Sequence, residues 1–166
     1  SETELATLMV GRNVNLHVEK KPATPGEVVL SIKDLHVRDE RGIEQVNGFN
    51  LDIRAGEIVG LAGIVGAGRS EMATTIYGMD KVLGGKVFVD GKDITGKSTK
   101  DVIAAGLSYV PEDRFNDGLF RIRDVAENTT SALLANSSLG KLLLNRKEEN
   151  RVSQNYVDNF RTKVTG

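Results

Sequence analysis

The sequence of 166 residues contains no cysteine and no tryptophan, and only two histidines, His17 and His36. Without thiols there can be no disulfide and no thiolate metal site, and two histidines give no basis for expecting zinc. Such a composition suits a reducing compartment. Charge of one sign is missing too: 22 Lys plus Arg face 23 Asp plus Glu, a formal net charge of −1. No broad basic field is offered to nucleic acid or anionic lipid, so no nucleic-acid partner is expected and any bound anion must be caught by local geometry. No apolar run reaches the length needed to cross a bilayer, and the opening SETELATLMVGRN has neither a basic start nor a cleavable apolar block. No segment is expected to span a membrane.

What is present is a hydrophobic content of 39%, enough for one folded domain with a core and short for two. The chain starts mid-stream: Glu4 to Met9 reads as the last turn of a helix, with Leu5, Leu8 and Met9 on one face, stopped by Gly11. The sequence is therefore expected to be a piece of a longer protein. Lys20 to Glu27, KKPATPGE, holds two of the three prolines and reads as a linker, so the folded region should begin near Val28.

From that point Val28, Leu30 and Ile32 alternate with polar neighbours, Leu35 and Val37 follow after a break, and Phe49, Leu51 and Ile53 alternate again. These are expected as half-buried antiparallel strands, with Arg38 to Gly42 as a charged turn. Ile58 to Ala62 is instead a continuous apolar run, expected as a central parallel strand buried on both faces. Glu71 to Tyr77 carries Met72, Thr75 and Ile76 at helical spacing before Gly78. Lys86 to Val89 should be a strand closed by an Asp90-Gly91 turn, Thr99 to Ala105 a helix ended by Gly106, and Leu107 to Val110 a second buried strand. Beyond Asp124 the pattern is helical, and Val152, Tyr156, Phe160 and Val164 form the apolar stripe of an amphipathic helix from about Arg146 to Lys163 that docks on a neighbour.

Residues 63 to 70, Gly-Ile-Val-Gly-Ala-Gly-Arg-Ser, fit the phosphate-loop pattern G-x-x-x-x-G-K-[ST] at every fixed position except one, where Arg69 replaces lysine. A polyphosphate must be met by inward-pointing backbone N–H groups, and glycines let the chain curl tightly enough to aim them. Gly63, Gly66 and Gly68 meet that demand. The segment stands between an apolar strand pattern and a helix pattern, which separates it from an ordinary glycine-rich turn. The expected nucleotide contacts are Gly63, Ile64, Val65, Gly66, Ala67, Gly68, Arg69, Ser70 and Glu71, with Ser70 as a magnesium ligand. A guanidinium is planar and wider than an ammonium, so binding is expected to survive at Arg69 and hydrolysis to suffer.

On these residues the sequence resembles the second nucleotide-binding cassette of the two-cassette ATPases that drive bacterial import of ribose, galactose, xylose and related sugars, with nucleoside importers close by. The resemblance covers nearly the whole chain. It is carried by VGR at Val10 to Arg12, RAGEIVGLAG at Arg54 to Gly63, VGAGRSE at Val65 to Glu71, GGKVFVDGKDI at Gly84 to Ile94 and GLSYVPEDRFNDGLF at Gly106 to Phe120. It implies an α/β P-loop NTPase fold of the ABC-cassette type, present here in part: an antiparallel β subdomain, a partial parallel core and the start of a helical subdomain. The implied division is an inter-cassette linker over 1–27, an ATP-binding core over 28–123 and a helical subdomain beginning at 124–166, before any signature motif.

The resemblance further implies ATP and Mg2+ as ligands and an ATP-hydrolysing, solute-importing parent, with this piece alone inactive. It implies a peripheral place on the cytoplasmic face of the plasma membrane. The implied partners are membrane permease subunits, the other cassette and, indirectly, a periplasmic or extracellular solute-binding protein. At the position where cassettes carry the glutamine of the Q-loop this sequence has Glu112, a candidate catalytic and magnesium-contacting group; Asp113 and Arg114 read equally well as solvated loop. No aromatic residue follows the first strand to stack on adenine, which leaves Val46 or Arg38, while Tyr77 is read as core. The alternatives that remain are a regulatory cassette that binds ATP with little hydrolysis, a nucleoside rather than a sugar importer, and a structural interaction domain. A GTPase or kinase is disfavoured because no Asn-Lys-x-Asp motif occurs.

Overall fold

Eleven consecutive residues, Val28–Arg38, form β1, the strand around which a computed structural model of the chain is organised. The structure describes residues 2–12, 20, 22–39, 41–136, 139–140 and 143–164. β1 runs antiparallel to β2 (Glu44–Arg54) on one side and to β3 (Gly84–Val89) on the other, and β3 turns through Asp90 and Gly91, both at positive φ, into the short β4 (Lys92–Asp93). The sheet order is β2-β1-β3-β4. The antiparallel strands expected from the alternation are present, joined by the tight turns that antiparallel pairs permit.

The break in the β1 pattern is a bulge rather than a gap between strands. Asp34 adopts φ 49°, which shifts the parity so that Ile32, Leu35 and Val37 all face the core. Its displaced N–H donates to Asn50 Oδ1 at 3.0 Å. The neighbouring strand answers with Gly85 at φ +91°, where a Cβ would stand 2.3 Å from the Asp34 carbonyl oxygen. Beside the bulge, His36 Nδ1 lies 2.8 Å from Glu44 Oε1 and Nε2 lies 3.3 Å from Asp34 Oδ1.

Helix α1 (Glu2–Val10) stands at the N-terminal end and is stopped by Gly11, whose N–H bonds the Thr7 carbonyl. Helix α2 (Arg69–Ile76) lies on the sheet and contributes Met72, Thr75 and Ile76, the face expected from their spacing. Helix α3 (Thr99–Ala104), capped by Ser98, adds Val102, and the core closes over Val46, Val87, Val89 and Ile94.

Two expectations fail here. Ile58 to Ala62 and Leu107 to Val110 are not laddered strands, and Ile58 is 96% and Val110 87% exposed. A parallel strand needs neighbours brought in by long crossovers, and among the described residues no strand is hydrogen-bonded to either stretch. The partial parallel core is thus two unpaired connecting segments flanking α2.

A separate helical pair follows. Helix α4 (Val125–Thr130), capped by Asp124 and continued by a 3-10 turn (Ser131–Asn136), packs against α5 (Arg146–Phe160). The docked face of α5 is not the predicted one. Glu149, 2% exposed, and Ser153 face α4, while Tyr156 and Phe160 stack on each other in the open at 6.0 Å between centroids. The cause is polar: Glu149 lies 3.3 Å from the Thr130 hydroxyl of α4, and Arg146, which pairs with Glu149 within α5 at 2.8 Å, reaches Glu127 of α4 at 3.7 Å, so the polar side of α5 is the one turned to α4.

The buried Thr75 hydroxyl has no hydrogen-bond partner among the described residues. A buried unpaired hydroxyl costs stability that an isosteric methyl does not, so Thr75→Val should stabilise the chain by about 1 kcal/mol, read as a higher urea midpoint at unchanged m; a lower midpoint would contradict this. The Glu44 hydrogen bond, aided by Asp34 and opposed by partial desolvation, raises the His36 pKa above its ordinary value. A raised folded pKa gives stability that is fully present below the unfolded value and lost as pH climbs through the folded one. Wild type should therefore lose stability relative to His36→Gln across that window; parallel stability curves would refute the tie.

Candidate functional site

The turn from Gly63 to Gly68 is shaped by two close approaches. Ala67 N–H bonds the Ile64 carbonyl at 3.1 Å, closing the turn, and Gly66 and Gly68 both take positive φ, +81° and +76°. Gly68 is buried against β2: a Cβ there would meet the Gln45 carbonyl oxygen at 2.3 Å. Only glycine lets this turn lie flat on the strand while adopting the left-handed conformation that starts α2. Gly63 faces Ala67 and the aliphatic stem of Arg69, so the Arg69 side chain folds back across the first glycine of the turn.

Gly68 is the N-cap of α2 and supplies no side-chain acceptor. The first amides of the helix, at Arg69, Ser70 and Glu71, therefore carry no side-chain cap. Ser, Asp or Asn usually occupies these donors; here no side chain does, at the positive end of the helix dipole. Ile64 and Val65 are exposed at the tip of the turn, as are Arg69 and Ser70.

Ser70 and Glu112, far apart in sequence, line one cleft of ≈ 620 Å³ together with Thr74, Tyr109, Asp113 and Arg114. The link is aromatic. Tyr77, at the end of α2, packs against Tyr109 with centroids 5.5 Å apart, drawing the 107–112 segment alongside α2. Tyr77 also packs on the core, as read from the sequence.

The charged loop divides by role. Asp113 accepts from the backbone N–H groups of Asn116 and Phe115 and from the Asn116 carboxamide, and these bonds hold its carboxyl below the usual aspartate range. It organises its own turn. Arg114 lies over the Phe115 ring, 5.6 Å from its centroid. Glu112 is exposed in the cleft.

On the other side of the turn, Val46 lines a hollow of ≈ 390 Å³ with Ala67, Gly68, Arg69 and Met72, whereas Arg38 sits at the end of β1 and does not line it. Of the two side chains considered for a base, the structure brings only Val46 to the loop.

Two features escaped the sequence reading. Thr74 lies one turn after Ser70 on the cleft side of α2, and the i, i+4 spacing could have revealed it. Next to the cleft is a second groove, of ≈ 600 Å³, walled by Phe115, Leu119, Phe120 and Val125 and rimmed by Arg121 and Arg123. Phe115 lines both cavities. Exposed aromatics in a loop leave no periodic trace, so no sequence signal marked the groove.

A turn of this kind ahead of a helix, flanked by an antiparallel sheet, is shared with known proteins. The sequence profile described as "ABC transporter" matches residues 46–164. The chain is 48% identical over 125 residues to the nucleoside import ATP-binding protein NupA of Lactococcus lactis subsp. cremoris, covering 75% of the chain and 25% of that protein. It is 35% identical over 161 residues to the ribose import ATP-binding protein RbsA 1 of Rubrobacter xylanophilus, covering 97% of the chain and 31% of that protein. The chain thus spans about a quarter to a third of the length of these relatives. Among solved structures, cbiO1 from Clostridium perfringens, part of the ABC transporter complex cbiONQ, superposes with a TM-score of 0.58 at 20% identity over 79% of this chain and 49% of that one. A bacterial Atm1-family ABC exporter gives 0.55 at 19% identity, over 97% of this chain and 27% of that one. These likenesses show the same fold, and since the family profile extends from the second strand to the far end of the last helix, the chain belongs to the ABC transporter family.

Proposed function

We propose that the parent protein is the ATP-binding subunit of an importer for sugar-type solutes, and that this chain is the part that holds the phosphates. The observation that carries the reading is the start of α2, where an uncapped left-handed glycine leaves the helix amides open beside Ser70 and Glu112. Backbone N–H donors, a hydroxyl and a carboxylate are the donor set that a polyphosphate with a hard divalent cation requires, so the residues present fit MgATP. When bound, ATP supplies the phosphoanhydride whose binding and cleavage drive the transporter's conformational cycle.

In this reading the amides of residues 63–71 hold phosphate oxygens and Ser70 contacts magnesium. Glu112 faces the outer phosphate region across the cleft, and Arg69 offsets charge from the edge of the loop, its stem lying over Gly63. Residues 1–27 act as the linker between cassettes, 28–123 as the ATP-binding core and 124–166 as the beginning of the helical subdomain. The groove at Phe115, Leu119 and Phe120 suits an amphipathic segment of a membrane permease, with Arg121 at its rim favouring an acidic partner residue; Arg123 lies 3.5 Å from Glu127 of α4. Since Phe115 walls both cavities, a partner in the groove would touch the same side chain that lines the nucleotide cleft. In this reading the subunit and the other cassette lie on the cytoplasmic face of the plasma membrane, and a periplasmic or extracellular solute-binding protein serves the assembly indirectly from the opposite side. A nucleoside importer is the second reading, favoured by the 48% identity to a nucleoside import protein and the 40% identity to a guanosine import protein.

Replacing Ser70 with alanine in the full-length parent should weaken MgATP about tenfold, near 1.4 kcal/mol, by calorimetric titration. Unaltered affinity would remove the hydroxyl from the metal site. Changing Arg69 to lysine should leave ATP affinity within about threefold and raise the hydrolysis rate at least about tenfold, because a compact charge replaces a wide planar one. A rate that falls would show that the guanidinium itself serves the reaction. Uptake of labelled pentose against labelled nucleoside by cells with and without the parent gene separates the two solute readings.

A further inference from the structure

We propose that Asn128 is the positioning residue of the docking groove, a side-chain latch that holds the Phe120 lip in a binding-ready shape; this rests on the permease-docking reading above. Asn128 is the fourth residue of α4, and its carboxamide turns back over the loop before the helix. Its Oδ1 accepts from the Phe120 backbone N–H at 2.8 Å. Its Nδ2 lies 3.1 Å from the Phe120 carbonyl, 3.2 Å from that of Arg123 and 2.9 Å from that of Asp124. One carboxamide therefore engages both the donor and the acceptor of Phe120, as a neighbouring strand would, and shares its two hydrogens among three carbonyls. The turn it fills is closed by the Arg123 N–H bond to Phe120.

The Phe120 and Leu119 side chains do not hold this loop. Both are exposed in the groove, and among the described residues neither joins the core cluster. Backbone order at an exposed apolar lip has to come from elsewhere, and Asn128 bonds the lip's backbone directly, whereas Glu127 reaches it only through the Arg123 side chain, 3.5 Å away. Fixing the lip in advance lowers the ordering cost of binding, so affinity gains without any contact between Asn128 and the partner. Asp124 caps α4 by accepting from Glu127 N–H, and Glu127 lies 3.7 Å from Arg146 of α5, so the latch is seated on the docked helical pair. Hydroxyl residues on α4 cannot substitute: Thr129 and Thr130 bond carbonyls of their own helix.

The test uses the full-length parent and its detergent-solubilised permease. Asn128→Asp keeps the shape and the acceptor for Phe120 N–H but turns a charged oxygen toward three carbonyls; Asn128→Ala removes the latch. Both should raise the dissociation constant for the permease about tenfold and speed amide exchange at residues 119–123, while the shift in melting temperature caused by MgATP stays at the wild-type value. Wild-type permease affinity in both variants would overturn the proposal. Loss of the MgATP shift along with permease affinity would also overturn it, since that marks general unfolding rather than positioning. Phe120→Ala separates the two levels. If it leaves permease affinity unchanged, the docking reading itself fails and the latch with it; if it weakens affinity and the Asn128 variants do not, only the latch is lost.

Discussion

A glycine pressed against a backbone carbonyl sets the geometry on which the rest of the molecule depends. At Gly68 the turn must lie on β2 within a distance that admits no Cβ, and it must take a left-handed conformation that a β-carbon disfavours. Both conditions follow from where α2 has to begin if Met72, Thr75 and Ile76 are to reach the sheet. A residue able to cap the helix with a side chain would need the very Cβ that the contact forbids. Open amides at the start of α2 are therefore a consequence of packing, and the anion site proposed there rests on that packing.

The same helix places everything else that bears on function. Its far end carries Tyr77, which draws in Tyr109 and with it the loop bearing Glu112; its near end carries Ser70. Phe115 then joins the cleft to the apolar groove, whose lip is fixed from α4. Few strong interactions are needed: one close backbone approach, one aromatic pair and one shared ring connect the proposed phosphate seat to the apolar groove. Local order is spent where no core exists to provide it, at Asp113 and Asn128, each of which ties several backbone groups with one side chain.

Much of this was legible in the residues. Alternation gave β1 and β2, the short run Lys86 to Val89 closed by Asp90-Gly91 gave β3 and its turn, and the glycine pattern marked the tight turn ahead of α2. Other features were not, for definite reasons. The bulge at Asp34 disrupts a period of two and reads as a gap, although Gly85 opposite it was a clue only a known pairing could interpret. Ile58 to Ala62 and Leu107 to Val110 were read as buried strands because apolar runs report which residues gain from burial, not whether a neighbour runs beside them. The face of α5 was misjudged because polar contacts with α4, at Glu149 with Thr130 and at Arg146 with Glu127, outweigh the aromatic stripe in orienting the helix, and periodicity treats a carboxyl group as solvent-facing. Asn128 looks like any helix-surface asparagine until the loop before it is placed.

The central claim is that polyphosphate is seated by the open amides between Gly63 and Glu71. Amide hydrogen exchange of the full-length parent, followed by mass spectrometry with and without MgATP, tests it most directly. The account predicts slowed exchange in peptides spanning 63–72 and, through the Tyr77 and Tyr109 contact, in those spanning 109–117. Protection confined to other parts of the protein, with both of these peptides exchanging as in the nucleotide-free state, would contradict it.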